Sequence, residues 1–141
     1  MQITHDSISI KTVEPLWFID ITDKVEAIAK KAGIKNGVIV LTTRHTTTAL
    51  CVNERCERLQ EDMKGLLNRL VPKGAGYKHD HSTVDGRANA HNHLMSLLLR
   101  TTETIPVAGG RPQIGTWQSI FFIELDGPRD ERNINVMVIG E

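Results

Sequence analysis

Gly37-Val-Ile-Val-Leu-Thr-Thr43, Arg44-His45-Thr-Thr-Thr48 and Ala49-Leu-Cys-Val52 follow one another without a gap. The first run, opened by the turn pair Asn36-Gly37, has the aliphatic and β-branched character of a buried strand. The third run, closing at Asn53-Glu54, reads as another strand. The polar break between them leaves His45 at the end of a core strand or in a tight connection between two. Its threonines can satisfy the backbone of a β-turn, or they can present a histidine and hydroxyls to a cleft. Along the chain strands outnumber helices, and the helices interrupt them singly or in pairs.

On the C-terminal side, residues 55–70 read as a helix. Leu59, Met63, Leu66, Leu67 and Leu70 form an apolar stripe, interrupted by Gly65 at a cost of about 1 kcal/mol relative to alanine. On the N-terminal side, Val25, Ile28, Ala29 and Ala32 recur at helical spacing. Thr22 or Asp23 is placed to cap that helix and Gly33 to stop it. Strands are expected at residues 2–10 and at Leu16-Trp-Phe-Ile-Asp-Ile21, joined by a hairpin or a sharp corner. Further strands are expected at Glu103–Val107, where Pro106 indicates an edge, at Ser119–Leu125, and at Asn133–Ile139 with Ile134, Val136 and Val138 on one face. Ala108-Gly-Gly-Arg111 reads as a hairpin turn. The order of elements fits a single α+β sandwich over residues 1–141 and not a doubly wound parallel sheet.

Between the second helix and Leu94 lies His79-Asp-His-Ser-Thr-Val-Asp-Gly-Arg-Ala-Asn-Ala-His-Asn-His93, which holds four of the six histidines. Imidazoles can bind a borderline metal or move protons near neutral pH. The i, i+2 spacing of each pair puts both rings on one side of an extended segment, but roughly 200° apart on a helix. Asn89 is placed to cap a third helix that carries Leu94, Leu97 and Leu98, so His91 and His93 fall in its first turn. There the helix end attracts anions and disfavours a protonated imidazole.

Composition narrows the partners. With 17 basic and 17 acidic residues in 141, the chain lacks the excess positive charge of a duplex-binding protein. Three Phe, two Trp and one Tyr are too few for a base-stacking platform. No apolar run reaches the ~20 residues that span a bilayer. Cys51 and Cys56 form no CxxC pair, and free thiols in a reducing cytoplasm are the simple expectation. The side chains left to carry chemistry are His45, Glu54, Asp62, His79, His81, Asp85, Arg87, Asn89, His91, His93, Trp117, Gln118 and Arg129. Asp62, on the second helix, is expected to be a surface charge. Three histidines and a carboxylate suit a catalytic divalent metal with an open position. No HExxH, Walker A, GxGxxG or GxSxG pattern is present.

His45-Thr-Thr-Thr48, Asn53-Glu54, Asn89-Ala-His-Asn-His-Leu94, Gly115-Thr-Trp-Gln118 and Asp126-Gly-Pro-Arg129 occur in this order. In this the chain resembles the YjbQ-like family, also called the secondary thiamine-phosphate synthase family, over nearly its whole length. The resemblance implies a seven-stranded, two-sheet α+β sandwich assembled as a homotrimer. It also implies weak joining of a hydroxymethylpyrimidine pyrophosphate to a thiazole phosphate, with release of pyrophosphate. His45 and His93 match the histidines of the family motifs, and His91 stands where relatives carry Asp or His. Asn92 replaces a small alanine, and His81–Arg87 departs from the pattern. The expected site therefore has His45, His93 and Glu54 as catalytic groups. His45, His91 and His93 would hold zinc or magnesium. Thr46, Thr47, Arg87, Asn89, Trp117, Gln118 and Arg129 would contact a small phosphorylated metabolite. The alternatives are a metal-dependent hydrolase of a small anionic metabolite and a non-catalytic metal- or metabolite-binding trimer.

Overall fold

The computed structural model describes all residues, 1–141. Eight antiparallel strands form two sheets. The larger has the order β1 (Gln2–Thr12), β8 (Arg129–Gly140), β3 (Gly37–Thr43), β5 (Thr102–Ala108), β6 (Arg111–Pro112). The smaller has the order β2 (Trp17–Asp20), β7 (Gln118–Glu124), β4 (Thr48–Glu54). Seven are full strands; β6 is a two-residue return of the glycine turn at 109–110. The α+β sandwich expected from the sequence is the one observed. The three helices are α1 (Thr22–Ala32), α2 (Glu57–Leu70) and α3 (Ala90–Leu98), with one 3₁₀ turn at Lys78–His81.

Two apolar layers hold the sheets and helices together. One lies between the sheets, where Ile39, Leu41, Ile105, Ile134, Val136 and Val138 meet Leu50, Ile120 and Phe122, and α1 adds Val25 and Ala29. The other lies on the far side of the small sheet, where Ala49, Phe121, Ile123 and Leu125 meet Leu67 of α2 and Met95 of α3. Strand β7 is therefore covered on both faces. That is why Ile120-Phe-Phe-Ile-Glu-Leu125 lacks the apolar–polar alternation of its neighbours.

Several local expectations change. Strands β1 and β2 belong to different sheets, so their connection is a corner and not a hairpin. Leu16 turns it with φ 51°. The first N–H of α1 is satisfied from upstream: Asp20 Oδ1 accepts from the Thr22 backbone at 2.9 Å and from its hydroxyl at 2.6 Å. Thr22 Oγ1 in turn accepts the Ile120 N–H at 2.9 Å. The threonine thus links helix to strand, and Asp23 caps nothing. On α2 the stripe is only partly used. Met63 and Leu67, four residues apart on one ridge, reach the second core. Leu66 and Leu70 stay exposed.

Gly37 sits opposite Gly140 on β8 and Val107 on β5, and a Cβ there would fall on the Ile139 carbonyl oxygen. Gly37→Ala is expected to lower the unfolding free energy by about 3 kcal/mol, the upper range for overpacking. Gly65→Ala, whose Cβ meets only the end of the Arg69 side chain at 3.4 Å, is expected to raise it by up to about 1 kcal/mol. Urea unfolding followed by circular dichroism distinguishes these two signs.

Candidate functional site

The pairing of β4 with β7 sorts the polar motifs. Thr48 lies opposite Glu124 at one end of the pair, and Glu54 opposite Gln118 at the other. The ends are six strand steps apart, about 20 Å. Asn53-Glu54 and Gly115-Thr-Trp-Gln118 therefore share one end, where Glu54 and Trp117 are exposed. Gln118 Oε1 there accepts the Gly115 N–H at 2.7 Å. The His45 segment, the start of α3 and Asp126-Gly-Pro-Arg129 share the other end. Within one chain Glu54 is therefore no catalytic partner of His45, and Trp117 and Gln118 line no site with it. A regular strand holds the two groups apart.

A buried ion pair anchors the His45 end. Glu124 and Arg132 are 0% and 5% exposed. Arg132 Nε donates to Glu124 Oε2 and Nη2 to Oε1, both at 2.7 Å. The remaining lone pairs take the Thr12 hydroxyl at 2.8 Å and the Asp126 N–H at 2.9 Å. Burial alone would raise the Glu124 pKa. The Arg132 hydrogen bonds, the Asp126 N–H and the Thr12 hydroxyl outweigh it and hold the carboxyl below its ordinary range. Arg132 Nη2 also donates to Thr47 Oγ1 at 3.0 Å. Thr47 is thus a buried brace and not the substrate contact expected from the sequence. Thr46 remains exposed.

This bracing fixes His45. The hydroxyls of Thr43 and Thr48 share a 2.6 Å hydrogen bond across the segment. The ring reaches β8, where His45 Nε2 accepts the Asn133 backbone N–H at 3.0 Å. Burial and the nearby Arg132 charge push the imidazole pKa down, opposed by Glu124. His45 lines a groove with Arg44, Thr46, His93, Ser96 and Thr101.

Asp126 organises a second cavity on the other side of α3. Its Oδ2 accepts from Asn89 Nδ2 and from Arg129 Nη2, each at 2.7 Å. Arg87 Nη1 donates to the Asp126 carbonyl oxygen at 3.3 Å and stands 3.6 Å from Oδ1. Arg87, Asn89 and Arg129 do converge, but on this carboxylate. The cavity, about 470 Å³, is lined by Lys73, Arg87, Asn89, His91, Asn92 and Asp126 over Met95 and Leu125. His91 Nδ1 is buried there without a hydrogen-bond partner. Burial, then the Lys73 charge, lower the His91 pKa, while Asp80 and Asp126 pull it back.

His93 occupies the other face of α3, where its ring meets that of His79 edge-on at 5.0 Å. His79 Nε2 lies 3.2 Å from Asn89 Oδ1. Asn89 holds the cap position, but its side chain is committed to His79 and Asp126. The cap comes from Asp80, whose Oδ1 accepts the Ala90 N–H at 2.9 Å. His81 and Asp85 are exposed, as is Asp62.

The expected metal triad does not assemble within the chain. No three His, Cys, Asp or Glu side chains are grouped to hold an ion. His91 and His93 face different cavities, as their spacing on a helix requires. The Nε2 lone pair of His45 is already taken. The donor set of a single chain therefore does not fit a histidine-held zinc or magnesium.

Sequence reasoning missed Lys73, Asp80, Asp126, Glu124 and Arg132 as parts of this end. Arg132 was detectable, since it keeps the inward phase of Ile134, Val136 and Val138. Glu124 was too, as a lone charge in an apolar run. Lys73 and Asp80 left no local signal.

Arg132→Met leaves Glu124 buried without its partner and is expected to cost about 3–5 kcal/mol in urea unfolding. Because the folded Glu124 pKa is depressed, its contribution is complete above the ordinary value of 4.5 and is lost as pH falls through the folded value. Unfolding measured between pH 6 and about 3 should show this loss in the wild type and a flatter profile in Glu124→Gln. Asp80→Ala, which removes the cap of α3, is expected to cost about 1 kcal/mol.

No helix is long and apolar enough to cross a membrane. The family described as UPF0047 protein YjbQ-like matches residues 6–141. A UPF0047 protein of Methanothermobacter thermautotrophicus is 40% identical over 141 residues, covering 100% of this chain and 95% of that protein. One from Archaeoglobus fulgidus is 42% identical over 127 residues, covering 90% and 95%. Among solved structures, a YbjQ-like protein of unknown function from Sulfolobus solfataricus superposes with a TM-score of 0.93 at 38% identity, covering 99% of both chains. A hypothetical protein from Aeropyrum pernix gives 0.89 at 40%, covering 98% and 99%. Matched over nearly its whole length in sequence and in fold, the chain belongs to the YjbQ-like UPF0047 family.

Proposed function

We propose that this chain acts on a small phosphorylated metabolite whose phosphate enters the cavity beside the first turn of α3. One observation carries this reading. The cations Lys73 and Arg87 line one cavity together with His91, in the first turn of α3. Two cations beside a helix N-terminus favour an anionic ligand. Asp126 orients Arg87, so this cation is placed before the ligand arrives.

The narrower reading follows the family resemblance: a thiamine-phosphate synthase-like transferase, working in the cytoplasm as a homotrimer. In that reaction the bond from the pyrimidine methylene to pyrophosphate breaks and a bond to the thiazole nitrogen forms. Lys73 and Arg87 would take up the charge growing on the departing pyrophosphate. No step is routed through a histidine-held metal.

Lys73→Met and Arg87→Ala each remove a charge-assisted contact and are expected to weaken inorganic phosphate binding about 10- to 100-fold by calorimetry. Lys30→Met, on the outer face of α1, should leave it unchanged. Purified protein incubated with both phosphorylated precursors, with and without magnesium, should form thiamine phosphate. Pyrophosphate or phosphate release without that product would reassign the chain to hydrolysis. Binding without turnover would reassign it to metabolite storage or sensing. Unchanged phosphate affinity in both cation variants would remove the cavity from consideration.

A further inference from the structure

The second groove, on the His45 side of α3, has a chemistry of its own, and the hydrogen bond from Asn133 defines it. A backbone N–H can only donate. His45 Nε2, 3.0 Å away, must therefore present its lone pair, so the ring proton sits on Nδ1. Protonating Nε2, or binding a metal there, would consume that lone pair and set the Asn133 N–H against a proton or an ion. Binding a metal through Nδ1 would need the opposite tautomer and meets the same conflict.

The ring cannot easily swing away. Arg132, next to Asn133 in β8, is clamped by two 2.7 Å bonds to Glu124 and by Thr47. The Thr43–Thr48 hydroxyl pair braces the segment from the other side. Nδ1 has no acceptor within the chain, and it is not buried as His91 Nδ1 is. The groove beside it carries the exposed Arg44 guanidinium and the exposed Thr46 hydroxyl. An N–H, a cation and a hydroxyl from residues lining one groove are all able to donate.

We infer that His45 is a neutral hydrogen-bond donor, through Nδ1–H, to an oxygen of an anionic ligand held by Arg44 and Thr46. It is a binding residue and neither a metal ligand nor a general base. This assignment is independent of the cavity beside His91, which lies across α3, and it stands whether or not phosphate binds there.

Two measurements test it. Long-range proton–nitrogen spectra of ¹⁵N-histidine-labelled protein should show the His45 proton on Nδ1 and a bare Nε2. A proton on Nε2 would overturn the assignment on the wild-type protein alone. Inorganic phosphate and pyrophosphate should then shift the Arg44 and Thr46 amide resonances, and absence of any shift at either would refute the ligand class. The isosteric pair His45→Asn and His45→Asp sharpens the test. Asn places an amide donor where Nδ1–H stands, whereas Asp places an acceptor and a negative charge. Binding read at Thr46 should survive in His45→Asn within about 10-fold and weaken in His45→Asp by about 100-fold, the loss for a charge-assisted contact. The reverse order would restore His45 as a base or metal ligand.

Discussion

The Glu124–Arg132 pair is the interaction on which the polar end of the molecule depends. Removing two charges from water carries a penalty of several kcal/mol per ion, and it is offset only where geometry and hydrogen bonding are nearly complete. Here they are: Glu124 accepts four hydrogen bonds, and its partners come from different segments. Thr12 ends β1, Arg132 lies in β8, and Asp126 opens the turn after β7. Arg132 then reaches Thr47 in the loop before β4. One ion pair thus sets the mutual placement of both sheets and of the two loops that carry His45 and Asp126.

Much of this architecture was legible in the sequence, for reasons that differ by element. β8 announced itself by strict alternation, because one face packs and the other is open. β7 was recognisable as a strand only from its β-branched and aromatic content, because burial on both sides erased its period. α1 was recognisable from spacing, yet its cap was not. Asp20, Thr22 and Asp23 all carry short side-chain oxygens, and local pattern does not rank them. What separates them is a distant demand: Thr22 must also serve the Ile120 N–H, which leaves Asp20 to cap. α2 shows the reverse problem: its stripe is real, but periodicity says where apolar residues lie and not what they meet.

The site was legible in part. The motifs marked the right segments, and the helical placement of His91 and His93 already separated their rings by roughly 200°. Grouping them with His45 as one ligand set ignored that angle. Glu54 was joined to His45 because both flank the same apolar run, whereas a strand places its two flanks at opposite ends. Asp126 looked like a turn residue, and it is one. Its role as the carboxylate that gathers Arg87 and Asn89 beside Arg129 depends on residues 39 and 37 positions away in sequence, which no local pattern can encode.

Helix α3 is a partition with an imidazole on each side. His91 lies on one side of it and His93 on the other, as the i, i+2 spacing on a helix requires. Asn89, bonded to Asp126 on one side and to His79 on the other, ties the helix start to both walls. The two compartments therefore share α3 as a common wall, whose residues His91, Asn92 and Met95 line one and His93, Ser96 and Leu97 the other.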